Sequence, residues 1–190
     1  EDAVKSYEKA IDLKSNFAEA YNNLGNVLKD LDQVNDAVSN FKKAIKINPN
    51  FSEAFNNLGN ALSYHPVIHN LNDAVINFKK AIKLDPSFSE AYNNLGNVLK
   101  DLNRPNEAIS SYEKALELNP KFAEAHNNFG SVLKDLNQLK KAQKSFEKAI
   151  KINPNFAEAQ HNLGNIFKDL DQLEDALKSY KKAKLLKDDL

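Results

Sequence analysis

Asparagines recur in this sequence at fixed intervals, and their amides are the side chains best placed to do chemistry. One series is Asn22, Asn56, Asn93 and Asn127; the next is Asn23, Asn57, Asn94, Asn128 and Asn162; a third is Asn26, Asn60, Asn97 and Asn165. Each amide carries two N–H donors and one acceptor oxygen, the complement of a peptide backbone whatever its side chains. Such a ladder predicts tolerant, backbone-directed binding. The alternative is compositional: a low-GC genome, rich in Asn and Lys codons, would supply many asparagines on any polar helix face, and Asn48, Asn50 and Asn153 in connecting segments fit that view.

Lysines follow the same interval. Lys29, Lys100, Lys134 and Lys168 are the recurrent cations beside the asparagines, and each is followed by Asp30, Asp101, Asp135 or Asp169, so local charge is balanced. A second group, Tyr64, His65 and His69, stands in a stretch unlike the rest. Histidines four apart can ligate a metal on a helix, but Pro66 between them argues against a helix and no third ligand is near, so no metal is expected. Tyr64, His65 and His69 are an accessory contact site on one reading. On the simpler reading they belong to a tolerated loop insertion, with Ile68 in place of a missing leucine.

Nothing else in the chain points to catalysis. There is no GxGxxG, P-loop, HExxH or GxSxG, and the carboxylates recur by interval rather than converging on one cleft. The 190 residues include no cysteine, which excludes disulfides, thiolate metal sites and a cysteine nucleophile. We therefore expect no enzymatic activity and no cofactor. With 26 basic and 26 acidic residues and no long block of either sign, neither nucleic acid nor a membrane surface is an expected partner. No apolar run approaches the roughly 20 residues needed to cross a bilayer. Glu1 to Ala10 does not read as a signal sequence, so the expectation is a soluble, cytoplasmic chain.

The elements that carry these side chains follow from the same interval. Phe17, Phe51, Phe88, Phe122 and Phe156 are separated by 34, 37, 34 and 34 residues, which makes the chain one supersecondary unit repeated. The expected division is a single array over 1–190: residues 1–17 as the second helix of a partial unit, then 18–51, 52–88, 89–122, 123–156 and 157–190. In the first full unit Ala20, Tyr21, Leu24, Gly25, Val27, Leu28 and Leu31 recur at helical spacing and define helix A. Val34, Ala37, Val38, Phe41, Ala44, Ile45 and Ile47 define helix B. Asp32, Asn103, Asn137 and Asp171 fall between the two, and these residue types tolerate the left-handed conformation of a helix end. Asn48-Pro49 and its counterparts Asp85-Pro86, Asn119-Pro120 and Asn153-Pro154 stop helix B, because proline lacks an amide donor and restricts its predecessor.

Gly25, Gly59, Gly96, Gly130 and Gly164 lie within helix A, where glycine costs roughly 1 kcal/mol relative to alanine, so close packing against Ala37 and its equivalents is expected there. Phe41, Phe78, Tyr112, Phe146 and Tyr180 are expected to fill the space between hairpins. The second unit is three residues longer, and Pro66 is expected to end its helix A early.

The residues resemble the tetratricopeptide repeat, whose pattern is aromatic-x2-Leu-Gly-x2-aromatic, then Ala-x3-Phe, then a late proline. Tyr21, Leu24, Gly25, Ala37, Phe41, Ala44 and Pro49 reproduce it, as do Tyr92, Leu95, Gly96, Ala108, Tyr112, Ala115 and Pro120. Departures are His126 and Gln160 in place of the first aromatic, leucine in place of the second except at Phe167, and Asp188 in place of the last proline. The resemblance implies an all-α fold, a right-handed superhelix of antiparallel helix hairpins whose concave groove, lined by the asparagine stripe, holds partner peptides. The asparagine just before Leu-Gly, such as Asn23 and Asn94, is similar to the ladder in repeats attached to O-linked N-acetylglucosamine transferases. Repeats that clamp the terminal carboxylate of heat-shock chaperones place Lys or Arg where this chain has Glu19, Glu53, Glu90, Glu124 and Glu158, so no such clamp is expected.

The function expected is a non-catalytic scaffold binding an extended peptide or partner helix. The alternative is the substrate-recruiting arm of a larger enzyme, such as a glycosyltransferase or sulfotransferase. Because Glu1 to Phe17 supplies only a helix B, the protein is expected to continue upstream, and apolar surface on that unpaired helix to allow end-to-end self-association.

Overall fold

The computed structural model describes residues 2–64 and 70–188. Among the described residues the chain is all helix: α1 Asp2–Leu13, α2 Ala18–Asp30, α3 Val34–Ile47, α4 Ser52–Tyr64, α5 Leu71–Leu84, α6 Ser89–Asp101, α7 Pro105–Leu118, α8 Ala123–Asp135, α9 Leu139–Ile152, α10 Ala157–Asp169 and α11 Leu173–Asp188. The Cα trace divides into two compact units, Glu1–Val98 and Leu99–Leu190. In the first, α2 pairs with α3 and α4 with α5, while α1 packs on α2 and α3 on α4. In the second, α8 pairs with α9 and α10 with α11, and the stacking contacts are α7 on α8 and α9 on α10.

The turn from helix A to helix B is built as its residue types predict. Asp32, Asn103, Asn137 and Asp171 have φ of 61°, 56°, 57° and 59°. In the first full hairpin the Asp32 N–H donates to the Lys29 carbonyl at 3.0 Å and the Gln33 N–H to the Leu28 carbonyl at 2.8 Å. This pair of bonds is the Schellman arrangement, which satisfies carbonyls that the helix end leaves open. Helix B ends in a second device. The side-chain oxygens of Asn48, Asp85, Asn119 and Asn153 accept from the backbone N–H two residues on, at 3.1, 2.9, 3.2 and 3.1 Å. The side chain thus imitates a backbone turn while proline occupies the intervening residue. Asn48 and Asn153 therefore have a positional reason, and codon bias is not needed to place them.

The long unit departs from expectation. Helix α4 runs 13 residues, as α2 does, so Pro66 does not shorten it. Pro66 itself lies outside the described residues. The closing bond is also kept, since the Asn70 N–H donates to the Leu62 carbonyl at 2.8 Å, the counterpart of Gln33 to Leu28. Asn70 adds a cap of its own, its side-chain oxygen accepting from the Asp73 N–H at 3.1 Å. A cap of this kind contributes about 1 kcal/mol. His65, Ile68 and His69, with the side chain of Tyr64, lie outside the described residues.

The glycines admit the close helix approach expected of them, and what they meet is a ring. A Cβ added at Gly25 would lie 2.6 Å from Phe41 Cε1, and the three nearest atoms all belong to that ring. Gly59 meets Phe78 at 2.8 Å, Gly130 meets Phe146 at 2.8 Å and Gly164 meets Tyr180 at 2.7 Å. The ring of helix B is thus seated on the glycine of its own hairpin. It also joins neighbouring hairpins: Phe146 and Leu133 form one core cluster with Leu163 and Ile166 of α10, against which Ile109 of α7 packs.

Gly130→Ala should therefore destabilise the protein by about 1–3 kcal/mol, the usual cost of overpacking, despite alanine's better helix propensity. Urea denaturation checks this, and adding Phe146→Leu to that variant should recover part of the loss. A stabilised Gly130→Ala protein would contradict the contact.

Candidate functional site

The polar stripe of helix A begins at position two of each unit, counting Ala18 as position one, and continues through positions five, six, nine and twelve. Its asparagines separate by depth. Those at position five are buried: Asn22 is 3% exposed, Asn56 7%, Asn93 6% and Asn127 2%. At position six Asn23 is exposed, while Asn57, Asn94, Asn128 and Asn162 are half-buried. Asn26, Asn60, Asn97 and Asn165 at position nine are also half-buried.

Burial of an amide demands partners, and the neighbouring A helices supply them. Asn57 Nδ2 donates to Asn22 Oδ1 at 3.0 Å, and Asn94 Nδ2 to Asn56 Oδ1 at 3.1 Å. In the second unit Asn162 Nδ2 donates to Asn127 Oδ1 at 3.0 Å, and Asn127 Nδ2 donates to Glu158 Oε1 at 3.0 Å. Position five of one repeat is thereby tied to position six of the next. Sequence periodicity put these side chains on one face but did not show that they bond to each other, because that depends on the distance between two A helices.

The outer members of the stripe vary. Asn165 Oδ1 accepts from the Tyr180 hydroxyl at 2.8 Å, and Asn60 Oδ1 is buried without a partner among the described residues. Lys29 approaches Asp30 at 3.8 Å as the pairing by sequence suggests. Lys100 instead reaches Asp135 of the following A helix at 3.8 Å and donates to Ser131 Oγ at 3.1 Å. Both ion pairs are solvent-exposed and contribute little stability. Lys134 is half-buried and Lys168 exposed. The side chain of Tyr64, with His65 and His69, lies outside the described residues. Among the described residues no group of His, Cys, Asp or Glu could hold a metal ion, and no helix is long and apolar enough to cross a membrane.

The two polar replacements at position four are buried, a feature the repeat pattern did not foretell. Gln160 is 8% exposed and its Oε1 has no partner among the described residues. His126 is 6% exposed, with Nε2 3.0 Å from the Pro120 carbonyl, which assigns the ring proton to that nitrogen. Burial lowers the His126 pKa from the ordinary histidine value; the Pro120 carbonyl opposes the shift and the Lys148 ammonium adds to it.

Two outcomes follow from this geometry. Asn127→Ala leaves Asn162 and Glu158 without their partner and should cost about 1–3 kcal/mol in urea denaturation, whereas exposed Asn23→Ala should stay within about 0.5 kcal/mol. For His126, the unfolded chain protonates near pH ~6.5 and the folded chain only at lower pH, so between the two values the unfolded state binds more protons. Its contribution is therefore full above about pH 6.5 and is lost as pH falls through the folded pKa. His126→Phe should show a smaller fall in urea midpoint across that window than the unsubstituted protein.

Known proteins bear out the repeat. Family models described as Tetratricopeptide repeat match residues 18–51 and 89–122, 40–75 and 111–144, and 157–189. One described as TPR repeat matches 1–32, 70–103 and 130–171, more than half of the chain. No curated protein matches significantly. Among solved structures, MamA is similar at 28% identity and a TM-score of 0.75, covering 87% of this chain and 95% of its own. YrrB, described as a TPR protein with an unusual peptide-binding site, is similar at 26% identity and a TM-score of 0.72, with coverage of 98% and 94%. MamA from Desulfovibrio magneticus RS-1, at 23% identity, a TM-score of 0.76 and coverage of 90% and 96%, shares the fold. These family models together match most of the chain, and with its glycine-seated rings, Schellman turns and paired helices the chain belongs to the tetratricopeptide-repeat family, its fold class that of the all-α repeat solenoids.

Proposed function

We propose that this chain is a non-catalytic protein-interaction scaffold, a single array over 1–190 that works in the cytoplasm and holds an extended peptide or partner helix against the asparagine stripe. The observation that carries the reading is the pairing of position five with position six. A buried amide that bonds its neighbour becomes a strut, and it fixes the half-buried amide it meets. Asn57 and Asn162 each use one N–H in that bond, and their oxygens and second N–H groups are what a peptide backbone would meet. Preorganised groups lose less entropy on binding than free ones, so modest contacts suffice.

In this reading Asn22, Asn56, Asn93 and Asn127 hold the ladder, and Asn23, Asn57, Asn94, Asn128 and Asn162 touch the ligand together with the position-nine asparagines. Lys29, Lys100, Lys134 and Lys168 border it. YrrB, similar over 98% of this chain, supports peptide binding as the mode of action. The exposed side chains Leu13 of α1 and Leu173, Leu177 and Leu185 of α11 support end-to-end association of separate copies. A monomer by light scattering at high concentration would remove that association.

Panning an unbiased peptide library against the chain should yield ligands that share no strict side-chain motif. Replacing Asn23, Asn57 and Asn94 together with alanine should weaken them by about tenfold or more, given roughly 0.5–1.5 kcal/mol for each hydrogen bond. Unchanged binding by a folded triple variant would defeat the role given to the ladder.

A further inference from the structure

A recess lies over His126, and none of its lining residues belongs to the asparagine stripe. Position four of helix A carries Tyr21, Phe55 and Tyr92 in the first three full units, then His126. In the first unit of the structure the ammonium of Lys43 sits 5.5 Å from the Tyr21 ring centroid, and that of Lys80 sits 5.9 Å from the Phe55 centroid. Both rings are half-buried, each with a cation over it. Lys148 holds the same repeat position as Lys43 and Lys80, so the cation is retained where the large ring is not.

The smaller imidazole is drawn inward by its bond to the Pro120 carbonyl at 3.0 Å. Above it opens a recess of about 520 Å³ between α7 and α9, lined by Leu116, Phe129 and Ile152 with Lys148 and Lys151. Phe129 also leans on Tyr112, with ring centroids 6.5 Å apart, so one wall is a fixed aromatic surface. Glu113 and Glu117 form the acidic side of the recess, and it is partly neutralised, because Glu117 accepts from Lys114 at 2.8 Å. Apolar walls with ammonium groups on one side are electrostatically complementary to an aromatic ring, whose faces are negative.

We propose that this recess receives the aromatic side chain of a tyrosine or phenylalanine from a partner protein, in place of the ring that the chain itself supplies in earlier units. The guest ring lies on Leu116, Phe129 and Ile152, and Lys148 covers it as Lys43 covers Tyr21. The site is independent of the asparagine stripe. A partner can therefore be held by its backbone at one face and by a side chain at the other.

N-acetyltyrosinamide titrated into the isotope-labelled chain and followed by NMR tests this, with N-acetylleucinamide as the control. Saturable shifts confined to Leu116, Phe129 and Ile152, and absent with the leucine compound, are expected. His126→Tyr should abolish them by filling the recess, and Lys148→Gln, an exposed change that should not disturb folding, should weaken binding about twofold to fivefold. The triple asparagine variant should bind the tyrosine compound unchanged, which separates this site from the stripe. Absent shifts, equal shifts with the leucine compound, or binding unaffected by Lys148→Gln would overturn the proposal.

Discussion

The seating of one aromatic ring on one glycine is the contact on which the hairpins α2–α3, α4–α5, α8–α9 and α10–α11 depend. A Cβ at Gly25, Gly59, Gly130 or Gly164 would stand 2.6 to 2.8 Å from the ring of the paired helix, closer than two carbon atoms can rest. The missing side chain lets helix A approach helix B until the ring covers backbone, and the close approach in turn buries Ala37, Ala74 and Ala142. The local cost of glycine in a helix is small beside burial of a whole ring, which removes more than 150 Å² from water. Since the ring of one hairpin also contributes to a core cluster with the next, as Phe146 does, hairpin geometry and stacking are set by the same residue.

Asparagine serves several physical ends in this chain. At Asn103 and Asn137 it accepts a left-handed backbone that few residues tolerate. At Asn48, Asn119 and Asn153 its side chain closes a turn around proline. At Asn22, Asn56 and Asn127 it is buried and joins successive A helices. The first two uses are local and repeat because the turn repeats. The third is tertiary, and it gives the polar face a stiffness that a row of solvated side chains would lack.

Most of the helical framework was legible in the sequence because helices are encoded by short-range periodicity and end at residues with distinctive backbone chemistry. The left-handed positions from Asp32 to Asp171 and the proline stops are cases in which one residue type nearly dictates local geometry. Legibility failed where the outcome depended on where a neighbouring helix sits. Pro66 suggested a shortened α4, yet that helix has the same 13 residues as α2. The glycines suggested close approach of the two helices, but which side chain they meet, a ring, is seen only in the structure. His126 stands in the sequence only as a departure from the repeat pattern, and it underlies a recess.

What the sequence by itself determined is the repeat: its interval, its two helices, their ends and the side of each that turns from water. These follow from interactions spanning a few residues, which the order of residues states directly. Only the tertiary structure decided which polar side chains on that face point at one another and which remain half-buried. An amide at position five and an amide at position six stand about one repeat apart in the chain. They meet because ring-on-glycine packing sets the spacing of the helices that carry them, and no pattern within a single repeat specifies that distance.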